Sequence, residues 1–419
     1  MRYILVSLLA LTTLLSSCIK DKMEEKYTFF RPVYHTRAEV KAAIKNDNNQ
    51  EIHVPGKIFV KGNYLFLNEY NKGVHVIDFS NPASPVKKGF IHIPGNVDIA
   101  VRGNYLYADC YSDLMSIDIS DPTNVSLAYY QEGVFPHRIY EAGYMVDTSL
   151  VITEWVRVDT TIRSDYQSQG GGAKVFFDMG VLSAQAFSNY ASPNANPGVS
   201  NGIGGSQARF ALYNDRLYTV SHMDLKVFNT AQPATPTYIG TRNFPRGDIE
   251  TVFPYQDKLF IGSQTGMYVY GLSDPNAPNF LSQVTHIRSC DPVIADGNYA
   301  YVTLRGGSFC GGFSNQLDVV DITNITSPVL VKTYLMSSPS GLSKDGNILM
   351  VCDGGEGLKF MDVSSPTQIT NLGTLTGLLP LDVIALHGLA LVVAYDGVYF
   401  VNYNNPSSPV VLSKLTIQN

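Results

Sequence analysis

Residues able to do chemistry are sparse in this chain and spread along it. The eight histidines, at 35, 53, 75, 92, 137, 222, 286 and 387, stand singly, and none pairs at zinc-ligand spacing. No P-loop, EF-hand loop or G-x-S-x-G elbow occurs. Gly170-Gly171-Gly172-Ala173-Lys174 has the glycines of a phosphate loop, but the wrong spacing and no helical pattern after it. What remains is mostly acidic. Asp98, Asp248, Asp291 and Asp382, with His137 and Arg246, fall near the starts of recurring apolar strand segments. Carboxylates gathered around one opening could bind a divalent cation or a polar ligand. Alternatively, each Asp could accept the amides of its own loop. Trp155, Tyr166, Arg246 and Phe309 are contact candidates, since aromatics and Arg dominate recognition; Trp155 could equally pack internally. Five cysteines stand at 18, 110, 290, 310 and 352.

Internal repeats must position these residues. Gly62-Asn63-Tyr64-Leu65-Phe66-Leu67 followed by Val74-His75-Val76-Ile77-Asp78 returns as Gly103-Asn104-Tyr105-Leu106-Tyr107 and Leu114-Met115-Ser116-Ile117-Asp118. The Asp-equivalent position falls at 78, 118, 229, 271, 321, 362 and 402, so the steps are 40, 111, 42, 50, 41 and 40 residues. Read as two units plus an insertion, the long step hides a degenerate unit between His137 and Gly205, with Glu154-Trp155-Val156-Arg157-Val158-Asp159 as its second strand. Each unit holds four strand signals, A to D. Gly-Asn turns join A to B, and an [Asp/Asn]-x-[Ser/Thr]-x-Pro corner joins C to D, where side-chain oxygens can take turn amides. Pro85, Pro236, Pro278, Pro328 and Pro409 stand at the start of D, which makes D an edge strand.

Four antiparallel strands per unit of ~40 residues describe a β-propeller blade. The expected fold is therefore all-β, a single propeller of eight blades, with seven as the alternative. Leu-Met-Ser-Ile-Asp at 114–118, Val-His-Val-Ile-Asp at 74–78 and Leu-Asp-Val-Val-Asp at 317–321 resemble the LVIVD-repeat family. The resemblance runs over 56–419 and implies a propeller, commonly on secreted or surface bacterial lipoproteins, with no settled activity. In such a ring the A strands line the channel. The insertion near 160–205 and the 305–315 loop emerge on the face that also carries the starts of A. Cys290 and Cys310 fall on that face too, so they can form a disulfide, whereas Cys110 and Cys352 end B strands as buried thiols.

Composition agrees. Charged residues are 16%, below the roughly 25% of average domains. The net charge of −6 with no basic block argues against nucleic-acid binding, and the single Trp excludes repeats that need one per unit. Residues 1–17 read as a signal peptide, with a positive start and an apolar run from Ile4 to Leu15 too short to span a bilayer. Leu15-Ser16-Ser17-Cys18 resembles a bacterial lipobox, which implies lipidation of Cys18. The acidic stretch just after it, within a tether and lead-in over 18–55, resembles the surface-export signal of Bacteroidetes lipoproteins. The expected protein is an outer-membrane or cell-surface lipoprotein. Its loop-rich face would bind a glycan or protein without catalysis or a required cofactor. The alternative is a hydrolase or lyase using the carboxylates at the channel mouth, in which a divalent cation could take part.

Overall fold

The computed structural model describes residues 23–47, 50–135, 150–164, 201–244, 248–285, 292–307 and 314–418. The chain divides into two compact units, Met1–Tyr34 with Ile152–Ser183, and His35–Val151 with Ala184–Asn419.

Among the described residues the larger unit holds seven blades. Blade 1 has strands A to D at Pro55–Lys61, Tyr64–Glu69, Gly73–Asp78 and Val86–His92. Blades 2 to 7 repeat this over 99–131, 210–243, 249–285, 293–335, 339–375 and 380–416. Local chemistry sets each blade. Every A–B turn opens on a residue at positive φ: Gly62, Gly103, Asn214, Gln256, Gly297, Gly346 and His387, between 42° and 58°. Glycine is free of steric cost there, which explains the Gly-Asn signature. At the C–D corners the Oδ1 atoms of Asp78, Asp118, Asn229, Asp321, Asp362 and Asn402 accept the N–H two residues on, at 2.8–2.9 Å.

Strands B and C are almost wholly buried, while D is mostly exposed. Apolar clusters run from blade to blade around the ring, and blades 7 and 1 share one through Ile384, Leu391, Phe400, Ile58, Leu65 and Ile77. Tyr107 and Tyr218 on B strands reach the next blade's corner, donating to the carbonyls of Pro233 at 2.9 Å and Pro275 at 2.8 Å. A buried ring with a satisfied hydroxyl joins apolar packing to direction. Each blade uses four consecutive strands, so blades 7 and 1 share no strand. The lead-in to blade 1 and the end of blade 7 instead meet where Gln418 N–H donates to Ile52 O at 2.8 Å.

Two additions thicken blade 1. Lys45–Asp47 pairs with the outer edge of its D strand, and Ile203–Gly204 pairs with its A strand. Before Lys45 runs a short helix, α1 (Arg37–Ala42), capped by Thr36 and Glu39. Arg37 holds Asp113 of blade 2 at 3.1 Å and Lys41 holds Glu132 at 3.1 Å.

The count of seven corrects the expected eight. Between 137 and 205 the sequence has neither a Gly-Asn turn nor an [Asp/Asn]-x-[Ser/Thr]-x-Pro corner, and no blade forms from its described residues. The stretch 154–159 lies in a 15-residue strand, Leu150–Ser164, that pairs with Met23–Thr36 in a separate two-stranded sheet. Alternating Val, Ile and Thr do make a strand there, but its partner is the N-terminal segment. The long step in the repeat is thus one unit and one very long connection, 132–209, from blade 2 to blade 3.

Candidate functional site

The A strands position the polar groups of the channel. Counting five residues back from each A–B turn gives Lys57, Asp98, Arg209, Thr251, Pro292, Gly341 and Asp382 in blades 1 to 7. Blades 7, 1, 2 and 3 therefore carry acid, base, acid and base in order. Lys57 Nζ donates to Asp98 Oδ2 at 2.7 Å, with both side chains at most 7% exposed. Asp98 also accepts Arg209 N–H on Oδ2 and Ile99 N–H on Oδ1, each at 2.9 Å. Burial pushes the Lys57 amine below its ordinary range against the pull of Asp98. Burial pushes the Asp382 carboxyl well up, opposed by the Val383 N–H, Ser206 and Lys57. Its Oδ1 accepts Ser206 Oγ–H at 3.2 Å, and its Oδ2 has no hydrogen-bond partner among the described residues. Gly341 makes room for it, since a Cβ there would stand 2.1 Å from Asp382 Oδ1.

The element that covers these groups is the segment 201–209. Near the A–B turns, Arg102 donates to Asn201 Oδ1 at 2.9 Å, and Asn201 Nδ2 donates to Asn214 O at 3.3 Å. The segment then runs antiparallel to strand A of blade 1. Gly202 N–H donates to Val101 O at 2.8 Å, Ile203 and Gly204 pair with Val60 and Phe59, and Gly205 N–H donates to Ile58 O at 3.2 Å. Ser206 Oγ accepts Leu342 N–H at 2.8 Å, Gln207 Nε2 donates to Leu381 O at 3.0 Å, and Gln207 O accepts Lys57 Nζ at 2.9 Å. The inner strands of blades 6, 7, 1 and 2 are thus bridged by one short piece of chain. The connection leaves blade 2 on the D–A side, where Phe135 N–H donates to Ser112 O at 2.7 Å, and re-enters at the A–B side.

Another set of carboxylates does what was one reading of the channel acids. Glu69, Asp109 and Asp353 end B strands, fully buried, and accept the amides of the loop leading into their own blade. Glu69 takes Val54 N–H at 2.8 Å, Asp109 takes Val97 N–H at 2.7 Å, and Asp353 takes Ser337 and Ser338 N–H at 2.9 and 2.8 Å. Burial works against ionisation of Glu69, but His75 and the His53 and Val54 amides hold it below the ordinary range. Their signal in the sequence was position, an acid closing an apolar B strand.

Of the residues singled out from sequence, Asp98 and Asp382 lie together under 201–209. Asp248 is buried before strand A of blade 4, where Thr265 Oγ1 donates to its Oδ2 and its backbone carbonyl accepts Gln264 N–H at 3.0 Å. It serves the B–C turn of its own blade. Trp155 is half-buried in the separate two-stranded sheet. Cys18, His137, Tyr166, Arg246, Cys290, Asp291, Phe309 and Cys310 lie outside the described residues. Cys110 and Cys352 are buried and not disulfide-bonded. Among the described residues no group of three or more His, Cys, Asp or Glu could hold a metal ion. The missed residues are Lys57, Ser206 and Gln207. A lysine at the head of the apolar A-strand run 58–60, and glycines at 202, 204 and 205, were the available signals of a buried partner and a close backbone approach.

No curated protein matches the chain. Solved structures share its fold at low identity. A Lactobacillus plantarum protein has TM-score 0.54 at 14% identity, covering 87% of this chain and 97% of that one. The periplasmic gluconolactonase PpgL of Pseudomonas aeruginosa has 0.53 at 13%, covering 86% and 96%. The computationally designed Ika8 protein has 0.53 at 9%, covering 88% of each. The LVIVD repeat model matches residues 56–91, 95–130 and 288–336, which span nearly all of blades 1 and 2 and the whole of blade 5. The chain carries LVIVD repeats, and its larger unit is a β-propeller with seven blades among the described residues.

Proposed function

We propose that this protein is a lipid-anchored propeller of the bacterial outer membrane or cell surface that acts as a non-enzymatic binding module for a glycan or a protein. The anchor rests on the Leu15-Ser16-Ser17-Cys18 sequence and the apolar run before it. The single observation that carries the binding reading is the use of the channel acids. Asp98 is held by Lys57 and two amides, Asp382 is buried against Ser206, and both lie under 201–209. A hydrolase or lyase would need such carboxylates within reach of substrate and water. The 132–209 stretch departs from the repeat in sequence, and long connections on rigid scaffolds are where binding concentrates.

Two measurements test it. Replacing Cys18 with Ala should move the protein from the membrane fraction to the soluble fraction; unchanged membrane retention would sink the anchor. The lipid-free protein, screened against glycans and envelope proteins with and without EDTA, should bind one ligand saturably and return it unaltered. Turnover of a glycoside, or of gluconolactone as named for the Pseudomonas relative, would replace the binding reading with the enzymatic one.

A further inference from the structure

We infer that residues 201–209 form an internal strap that locks the ring closed across the seam between blades 7 and 1. No strand is shared across that seam. Between blades 6 and 7 the inner strands bond directly, as Ser340 Oγ–H to Leu381 O at 2.9 Å and Ala385 N–H to Ser343 Oγ at 3.1 Å. At the seam the strap lies between the inner strands. Its first half pairs with blade 1 through Val60, Phe59 and Ile58, and its second half reaches blade 7 through Ser206 to Asp382 and Gln207 to Leu381.

Two features show a built seat rather than a loop that drifted in. Glycine at 202 is required by contact, because a Cβ there would stand 2.4 Å from the Phe59 ring and 2.6 Å from Val60 O. Ser206 is 1% exposed and satisfied on both sides, donating to blade 7 and accepting from Leu342 N–H of blade 6. The strap also gives Lys57 a backbone carbonyl and Asp98 a backbone amide, so the buried ion pair of blades 1 and 2 is completed by it. The strap precedes blade 3 in the chain, so blades 3 to 7 are synthesised after it and close upon it.

Amide hydrogen exchange tests the lock, since local opening is read strand by strand. The milder variant is Ser206→Ala with Gln207→Ala; the stronger is Gly202→Val. Strands Pro55–Lys61 and Pro380–Leu386 should exchange at least ~10-fold faster, while Ile249–Tyr255 and Lys258–Ser263 of blade 4 keep their protection. If Gly202→Val does not fold, the double variant decides. Equal loss in every blade, or unchanged exchange at the seam, would overturn the inference.

Discussion

The carboxylates at the blade corners and those in the channel are the same side chains under opposite rules. At the corners, Asp78, Asp321 and Asp362 are half-buried at the solvent edge, and hydrogen bonds from Ser80, Thr323 and Ser364 hold them below the usual carboxylate range. In the channel, burial drives Asp382 the other way. A corner is satisfied by residues two positions on, so it can recur around the ring. A channel acid draws its partners from distant sequence: Lys57 for Asp98, Ser206 for Asp382. Local satisfaction makes a repeat, and non-local satisfaction makes a unique place in it.

The largest test of that contrast is Lys57→Met. It leaves Asp98 buried without its cation, so the fold should lose about 3–5 kcal/mol in urea denaturation. An unchanged midpoint would mean that the buried pair does not hold the channel together. Asp382→Asn should act in the opposite direction. With its folded pKa raised, Asp382 contributes stability that is present below about pH 4, the unfolded value, and lost as pH rises through the folded value. Asn keeps the shape and does not titrate. The variant should match the parent in acid and exceed it at neutral pH, with Lys57 and Cys352 facing the site and Asp98 and Arg209 beside Lys57 in both proteins. Equal stability of the two at pH 7 would show Asp382 to be comfortably charged.

The same contrast explains what the sequence made legible. Gly-Asn turns, Asx-Pro corners and the apolar B and C strands are short-range patterns, and they reveal blades one by one. Leu150–Ser164 is legible as a strand from its alternation, but pairing with Met23–Thr36 is a long-range choice, and assigning it to a blade made the count eight. Ser206 meets Asp382 across 176 residues, a separation that no local pattern encodes. Asp98 and Asp382 could be picked out as special because they fall near the starts of A strands. Their burial under the strap could not.

An intermediate case is Asp353, which is buried yet bonded locally. Asp353→Ala should cost about 2 kcal/mol, because it orphans the Ser337 and Ser338 amides and leaves Lys359, which donates to Asp353 Oδ2 at 2.5 Å, without that carboxylate, while Ser337 stays close to water. Thermal unfolding checks it, and a loss as large as that of Lys57→Met would erase the distinction between local and non-local acids.

The smallest effect belongs to the corner, and the molecule already contains the control. Asn229 and Asn402 occupy in blades 3 and 7 the place that Asp78 holds in blade 1, and each accepts the same turn amide at 2.8–2.9 Å through Oδ1. The corner thus needs an oxygen acceptor and no charge. Asp78→Asn should leave stability at neutral pH nearly unchanged, whereas Asp78→Val, which removes the acceptor, should lower it. The two part further with acid. Asp78 has a lowered folded pKa, so its contribution is present above the unfolded value and fades as pH falls through the folded one. The Asn variant has no such dependence and should gain on the parent below about pH 4. Parallel pH titrations of unfolding would show this crossing; an Asn variant as unstable as the Val variant at pH 7 would mean that the charge, and its 3.4 Å approach to Lys88, holds the corner after all.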